Sequence, residues 1–169
     1  LMIMANDDIE AFGNTIKDNI SFGALIVSYY FVDPDIDKDT YDPVPEKIYI
    51  HDNDMSNNSN DPQGAAVAVP GFFGQPVAIL YDSSGVGTDY GLLVEYPEGL
   101  TEDQAICIVD NAPESTLGRI NLYEVFKVLP FEPSISTDPA YFNCRHASLP
   151  SVVLDPPKDP DNPDEPPID

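Results

Sequence analysis

Apolar residues near the start of the chain fall at Ile9, Phe12, Ile16, Ile20, Ala24, Val27 and Phe31, in steps of three and four. That spacing predicts an amphipathic helix over 6–30, because residues three and four apart share one helix face. Asn6 or Asp7 would cap it, and Asp7, Asp8 and Glu10 suit the positive end of the helix dipole. Gly13 and Gly23 count against a helix by about 1 kcal/mol each relative to Ala. The run 24–32 also reads as a strand. Asp33-Pro34 ends the element in either case.

Beyond it the pattern shortens. Residues 33–45 and 52–64 are rich in Asp, Asn, Ser and Pro and read as loops, with a short strand over 47–51 between them. Runs at 65–69, 75–81 and 90–96 read as strands, the last two joined by a hairpin connection at 82–89. Thr101 would cap a second helix reaching about residue 111 and stopped by Pro113. Residues 117–129 fit neither period, while 141–144 and 151–154 read as short strands. No internal repeat stands out. The expected fold is α+β: a long N-terminal helix packed on a small antiparallel sheet, in a domain over 1–154. Residues 155–169 hold prolines and acids with few apolar side chains, and are expected to form an extended, solvated tail.

Charge narrows the function. Thirty acidic residues against seven basic ones give a net charge of −23. Nucleic acid and anionic membrane both require Lys and Arg, so neither is an expected partner. There is no 18-residue apolar run to span a bilayer. The two cysteines, Cys107 and Cys144, would form a disulfide in an exported protein or remain reduced core thiols in a cytosolic one.

The stretch Gly99-Leu100-Thr101-Glu102-Asp103-Gln104, just ahead of Cys107, follows the expected strand at 90–96. With the long N-terminal helix, the loop and the sheet before it, this order resembles type IV pilins of the type IVb branch. The resemblance implies a disulfide from Cys107 to Cys144 stapling the C-terminal region. It also implies a non-catalytic structural subunit of an extracellular filament, a type IV pilus or a type II secretion-like pseudopilus. Other filament subunits would be its partners. Ile9, Phe12, Ile16, Ile20 and Val27 would form the assembly face of the helix, and membrane contact would run only through an apolar helix preceding Leu1. The alternative function is a secreted adhesin-like or calcium-dependent binding module.

Cation and catalytic chemistry have weaker signals. Asp33, Asp35, Asp37 and Asp39 place carboxylates at alternate positions, suited to an irregular calcium site. Lys38 and Val44 stand where a calcium-binding EF-hand needs Gly and Glu. His51 with Asp52 and Asp54 is a lesser candidate. Cys107, Cys144, His51 and His146 are zinc-ligand types without zinc-site spacing. Ser83-Ser84-Gly85 lacks the flanking glycines of a nucleophile elbow, and Gly85-Val86-Gly87 lacks the rest of a phosphate loop. No enzyme activity and no obligate cofactor is expected. Among the tyrosines, Tyr29, Tyr30, Tyr41, Tyr49, Tyr81, Tyr90 and Tyr96 could include a carbohydrate- or protein-binding platform.

Overall fold

A computed structural model describes residues 1–33, 35–37, 39–84, 104–113, 116–120 and 135–151. The chain winds through short strands separated by corners, three strands to a coil. The first coil holds β1 (Met2–Met4), β2 (Ile9–Phe12) and β3 (Thr15–Lys17). The second holds β4 (Ala24–Val27), β5 (Ile48–His51) and β6 (Asp54–Ser56). The third holds β7 (Ile79–Asp82), β8 (Ile106–Val109) and β9 (Ala112–Pro113). A fourth begins with β10 (Leu117–Ile120), which carries β11 (Ile135–Ser136) on its edge.

Equivalent strands stack in parallel into three sheets: β1-β4-β7-β10, β2-β5-β8 and β3-β6-β9, called A, B and C below. Among the described strand pairs only β10 with β11 is antiparallel. This is a three-sided parallel β-solenoid, in which each coil covers the apolar face of the next.

The corners explain why these residues turn. Asp8 and Lys47 precede sheet B with φ of 55° and 53°; Gly13, Asp52 and Asp110 separate sheets B and C at 65°, 51° and 56°. Gly, Asp and Asn tolerate this left-handed region best, so one such residue bends the chain between two strands. Directly after the second corner stand Asn14, Asn53 and Asn111, one per coil. Asn14 Nδ2 donates to Asn53 Oδ1 at 2.9 Å, and Asn53 Nδ2 donates to Asn111 Oδ1 at 2.8 Å. A second pair follows at the next corner, with Asn19 Nδ2 donating to Asn58 Oδ1 at 2.8 Å.

The solenoid interior is filled by Ile3, Ile26 and Tyr81 from sheet A, Ile48, Ile50, Ile106 and Ile108 from sheet B, and Ile16 and Met55 from sheet C. Arg119 ends the first of these columns, since it pairs in register with Tyr81, which pairs with Ile26. Its residue surface is only 3% exposed, and its guanidinium carbon lies 4.9 Å over the Tyr141 ring. Phe142, in a 3₁₀ turn over Pro139–Phe142, is buried edge-on to Tyr81 at 6.2 Å. A second core lies on the opposite face of sheet A. There Val27, Leu80 and Ile120 meet Val69 and Val77, with Phe72 and Phe73 packed against them. Val69, Phe72 and Phe73 belong to the short helix α1 (Val69–Phe73).

This architecture overturns the α+β expectation. The expected N-terminal helix over 6–30 is instead three strands, β2 to β4, and among the described residues α1 is the one α-helix. Ile9 and Ile16 are seven apart, two helical turns in sequence but two successive sides of the solenoid in space. A short strand plus a one-residue corner therefore imitates the helical period. The supposed assembly face is dispersed: Ile16 and Val27 are buried in different sheets, Ile9 is half-buried, and Phe12 and Ile20 are exposed.

Other elements differ for related reasons. Residues 106–109 form a strand in place of the second helix, because Ile106 and Ile108 alternate inward from sheet B. The loop expected over 52–64 contains β6, and the strand expected at 65–69 is a 3₁₀ turn over Gly64–Ala68 leading into α1. The strand expected at 141–144 begins within the Pro139–Phe142 turn instead, whose first amide bonds are closed by Asp138 capping Ala140 N. An internal repeat does exist: Ile48-Tyr49-Ile50-His51-Asp52-Asn53 lies in register with Ile106-Cys107-Ile108-Val109-Asp110-Asn111. The expected elements at 90–96, 101–103, 121–129 and 152–154, the Gly85-Val86-Gly87 turn and the tail lie outside the described residues.

Candidate functional site

Sheet B presents alternate side chains outward: Glu10 and Phe12 from β2, Tyr49 and His51 from β5, Cys107 and Val109 from β8. Stacking places His51 beside Phe12, with ring centroids 5.3 Å apart and planes 8° from parallel. His51 also stacks on Tyr49, with centroids 3.9 Å apart. Phe12 remains 57% exposed.

His51 has a carboxylate at each ring nitrogen. Nδ1 lies 2.7 Å from Asp52 Oδ2, and Nε2 lies 3.0 Å from Glu10 Oε1. Only the imidazolium has an N–H for both, so this geometry selects the charged ring. Burial of the ring opposes the charge, but the bonds to Asp52 and Glu10 outweigh it and raise the His51 pKa above 6.5. Glu10 moves the opposite way, held down first by the bond from His51 and then by the Leu149 amide.

A C-terminal strap crosses this face. Cys144 is bonded to Cys107, with S–S 2.06 Å and Cα–Cα 4.9 Å, which ties the strap to the third coil. Next, Arg145 Nη1 donates to Tyr49 Oη at 3.3 Å and Nη2 to Asp110 Oδ2 at 2.5 Å. His146 Nε2 donates to the Ala105 carbonyl at 2.7 Å. At the first coil, Leu149 N donates to Glu10 Oε2 at 2.9 Å. The strap covers Glu10, whose side chain is 7% exposed, and Tyr49, but leaves Phe12, Asp52 and Asp110 open. A cleft of about 440 Å³ adjoins it between β8, β10 and the Pro139–Phe142 turn, with Asp110, Asn111 and Asp138 on its walls.

The remaining candidates are placed elsewhere. Asp33 Oδ1 accepts the Asp35 amide at 3.1 Å and Asp37 Oδ1 the Asp39 amide at 3.0 Å, so these acids brace local turns. Among the described residues no group of three His, Cys, Asp or Glu is arranged to hold a metal ion. Cys107 and Cys144 spend their sulfurs on each other, and the two histidines bond to carboxylates and a carbonyl rather than converging. Ser83 and Ser84 are buried, and Ser84 N donates to Asp82 Oδ1 at 3.0 Å. Tyr29 and Tyr41 pack edge to face on each other, with ring centroids 5.3 Å apart. No helix among the described residues is long and apolar enough to cross a membrane.

The Glu10–His51–Asp52 cluster was absent from the sequence-based candidates as a unit. The repeated Ile-x-Ile-x-Asp-Asn pattern was the available signal, since aligning it with Ile9–Asn14 sets Phe12 beside His51. No protein-family model, curated protein or solved structure matches this chain.

Proposed function

We propose that this protein is a non-catalytic, extracellular or surface-displayed binding module that takes a glycan strand along the outer face of sheet B. The observation that carries the reading is the exposed Phe12 ring stacked on His51, which is paired with Asp52, on a sheet face that also carries the exposed Arg145–Asp110 pair at the third coil. Aromatic faces pack against the apolar faces of sugar rings, while carboxylate and guanidinium groups bond the hydroxyls. A net charge of −23 disfavours uronate-rich or sulfated glycans and suits neutral or amino sugars. The Cys107–Cys144 bond accords with an oxidising compartment. His51 and Glu10 are engaged with each other and lie beneath the strap, which favours binding over acid–base turnover. Filament assembly through an N-terminal helix is not carried forward, because that segment folds as strands of the solenoid.

Titration calorimetry with acetylated and deacetylated chitooligosaccharides, with polygalacturonate as the anionic control, tests this. Binding of a chitooligosaccharide that Phe12→Ala weakens at least about tenfold, near 1.4 kcal/mol, is the expected result. Binding indifferent to Phe12→Ala, or confined to polygalacturonate, overturns it.

A further inference from the structure

The strap is held in two chemically different ways. Its start is covalent, through Cys144 and Cys107. Its far end rests on a single carboxylate: Leu149 N donates to Glu10 Oε2 while His51 Nε2 donates to Glu10 Oε1. We propose that residues 147–149 form the pH-gated end of the strap, clasped to Glu10 in acid and released above neutrality, while Arg145 and His146 stay in place, so that release uncovers Glu10 and the first coil of sheet B.

The argument is electrostatic. Laying the strap on sheet B removes water from Glu10, and a covered carboxylate needs a compensating charge. His51 supplies it while protonated. Once neutral, His51 has one N–H for two carboxylates, and a ring lone pair faces whichever lacks it. Asp52, with its side chain 66% exposed, can turn to water; Glu10 cannot do so without lifting the strap. Every charged neighbour follows the same logic or is indifferent to it. From β2 and the β5 corner come Glu10 and Asp52, both acids. From the strap, Arg145 is paired with Asp110 beyond β8 and keeps its charge throughout. His146 donates to a carbonyl through an N–H that the neutral ring also possesses. Tyr49 lies against His51, with Arg145 on its hydroxyl.

The sign follows from His51. Its pKa in the folded chain lies above 6.5, so the clasp is complete below about 6.5 and is lost as pH rises through the folded value. The use of the uncovered face rests on the glycan reading above, but the strap itself is tested without any ligand. Hydrogen exchange of the Leu149 amide, referenced at each pH to an unstructured peptide of the same sequence, reads it directly. Between about pH 5.5 and about pH 8.5, across the range in which histidine titrates, protection is expected to fall about tenfold or more. Glu10→Gln is expected to abolish that dependence, because the carboxamide oxygen still accepts the Leu149 amide and needs no counter-charge. Equal protection at both pH values in the unmutated chain overturns the proposal, whether or not any variant folds. A dependence that survives Glu10→Gln overturns it as well.

Discussion

Asn53 sits one coil from Asn14, and its Oδ1 accepts both the backbone amide of Asn14 at 3.0 Å and the Nδ2 at 2.9 Å. The same residue donates through Nδ2 to the carbonyls of Ala11 and His51, both at 2.9 Å, and to Asn111. One buried side chain thus satisfies polar groups of three consecutive coils just where the backbone turns and its own ladder is interrupted. Asn is the residue that can do this, because its amide has an accepting oxygen and two N–H groups, here shared among three acceptors.

Asn53→Ala should therefore be among the most damaging single changes. It strands donors and acceptors in three coils at about 1–3 kcal/mol for each buried group left unpaired. A loss of at least about 2 kcal/mol in urea unfolding is expected. Asn60→Ala, on the exposed side of the neighbouring turn, should stay within about 0.5 kcal/mol.

Two glycines of similar appearance should respond with opposite signs. A Cβ on Gly118 in β10 would meet Val77 Cγ1 at 2.9 Å and Phe73 Cζ at 3.0 Å in the second core. Gly118→Ala is expected to cost about 1–3 kcal/mol by overpacking. Gly71, inside α1, has nothing within 4 Å of the added atom, and Gly71→Ala should stabilise by about 0.5–1 kcal/mol. Thermal unfolding of the two variants checks both signs at once.

Arg119 occupies an interior position that the coils before it fill with Ile26 and Tyr81. Its Nε and Nη1 have no hydrogen-bond partner among the described residues, although its guanidinium packs on Tyr141. Burying a guanidinium with two nitrogens unpaired is unfavourable, and an apolar side chain of similar length commonly does better. Arg119→Met is expected to raise the melting temperature, by about 1–3 kcal/mol in stability. A fall in melting temperature would show that the packing on Tyr141 outweighs the desolvation of the charge.

Several elements were legible without the fold. The strand over 47–51 is β5, Ile48–His51, and the Asp- and Pro-rich stretch after residue 33 is a loop, because both depend on local backbone preference. The first thirty or so residues were not legible by the same means. Ile9, Ile16 and Ala24 have helical spacing, and no local window separates a helix from short strands joined by one-residue corners. The corner residues Asp8, Gly13 and Asp18, all at positive φ, were the only local signs of it. Of the candidate site, Cys107 and Cys144 were visible as a pair of equals, but Glu10, His51 and Leu149 stand 41 and 139 positions from one another through Glu10 and carry no mutual pattern.

Residue chemistry alone determined the −23 charge, the turn-forming Asn and Asp, and the presence of two cysteines able to pair. Tertiary structure decided that the N-terminal segment is strand, that Asn14, Asn53 and Asn111 form a ladder, and that a strap closes over His51. The reason is the way a solenoid is stabilised. Each coil buries its apolar face only against the next, and here the partners lie 39 and then 58 positions apart because the intervening loops differ in length. Local propensity cannot sense contacts at such irregular distances, so stacking between coils overrode the helical spacing.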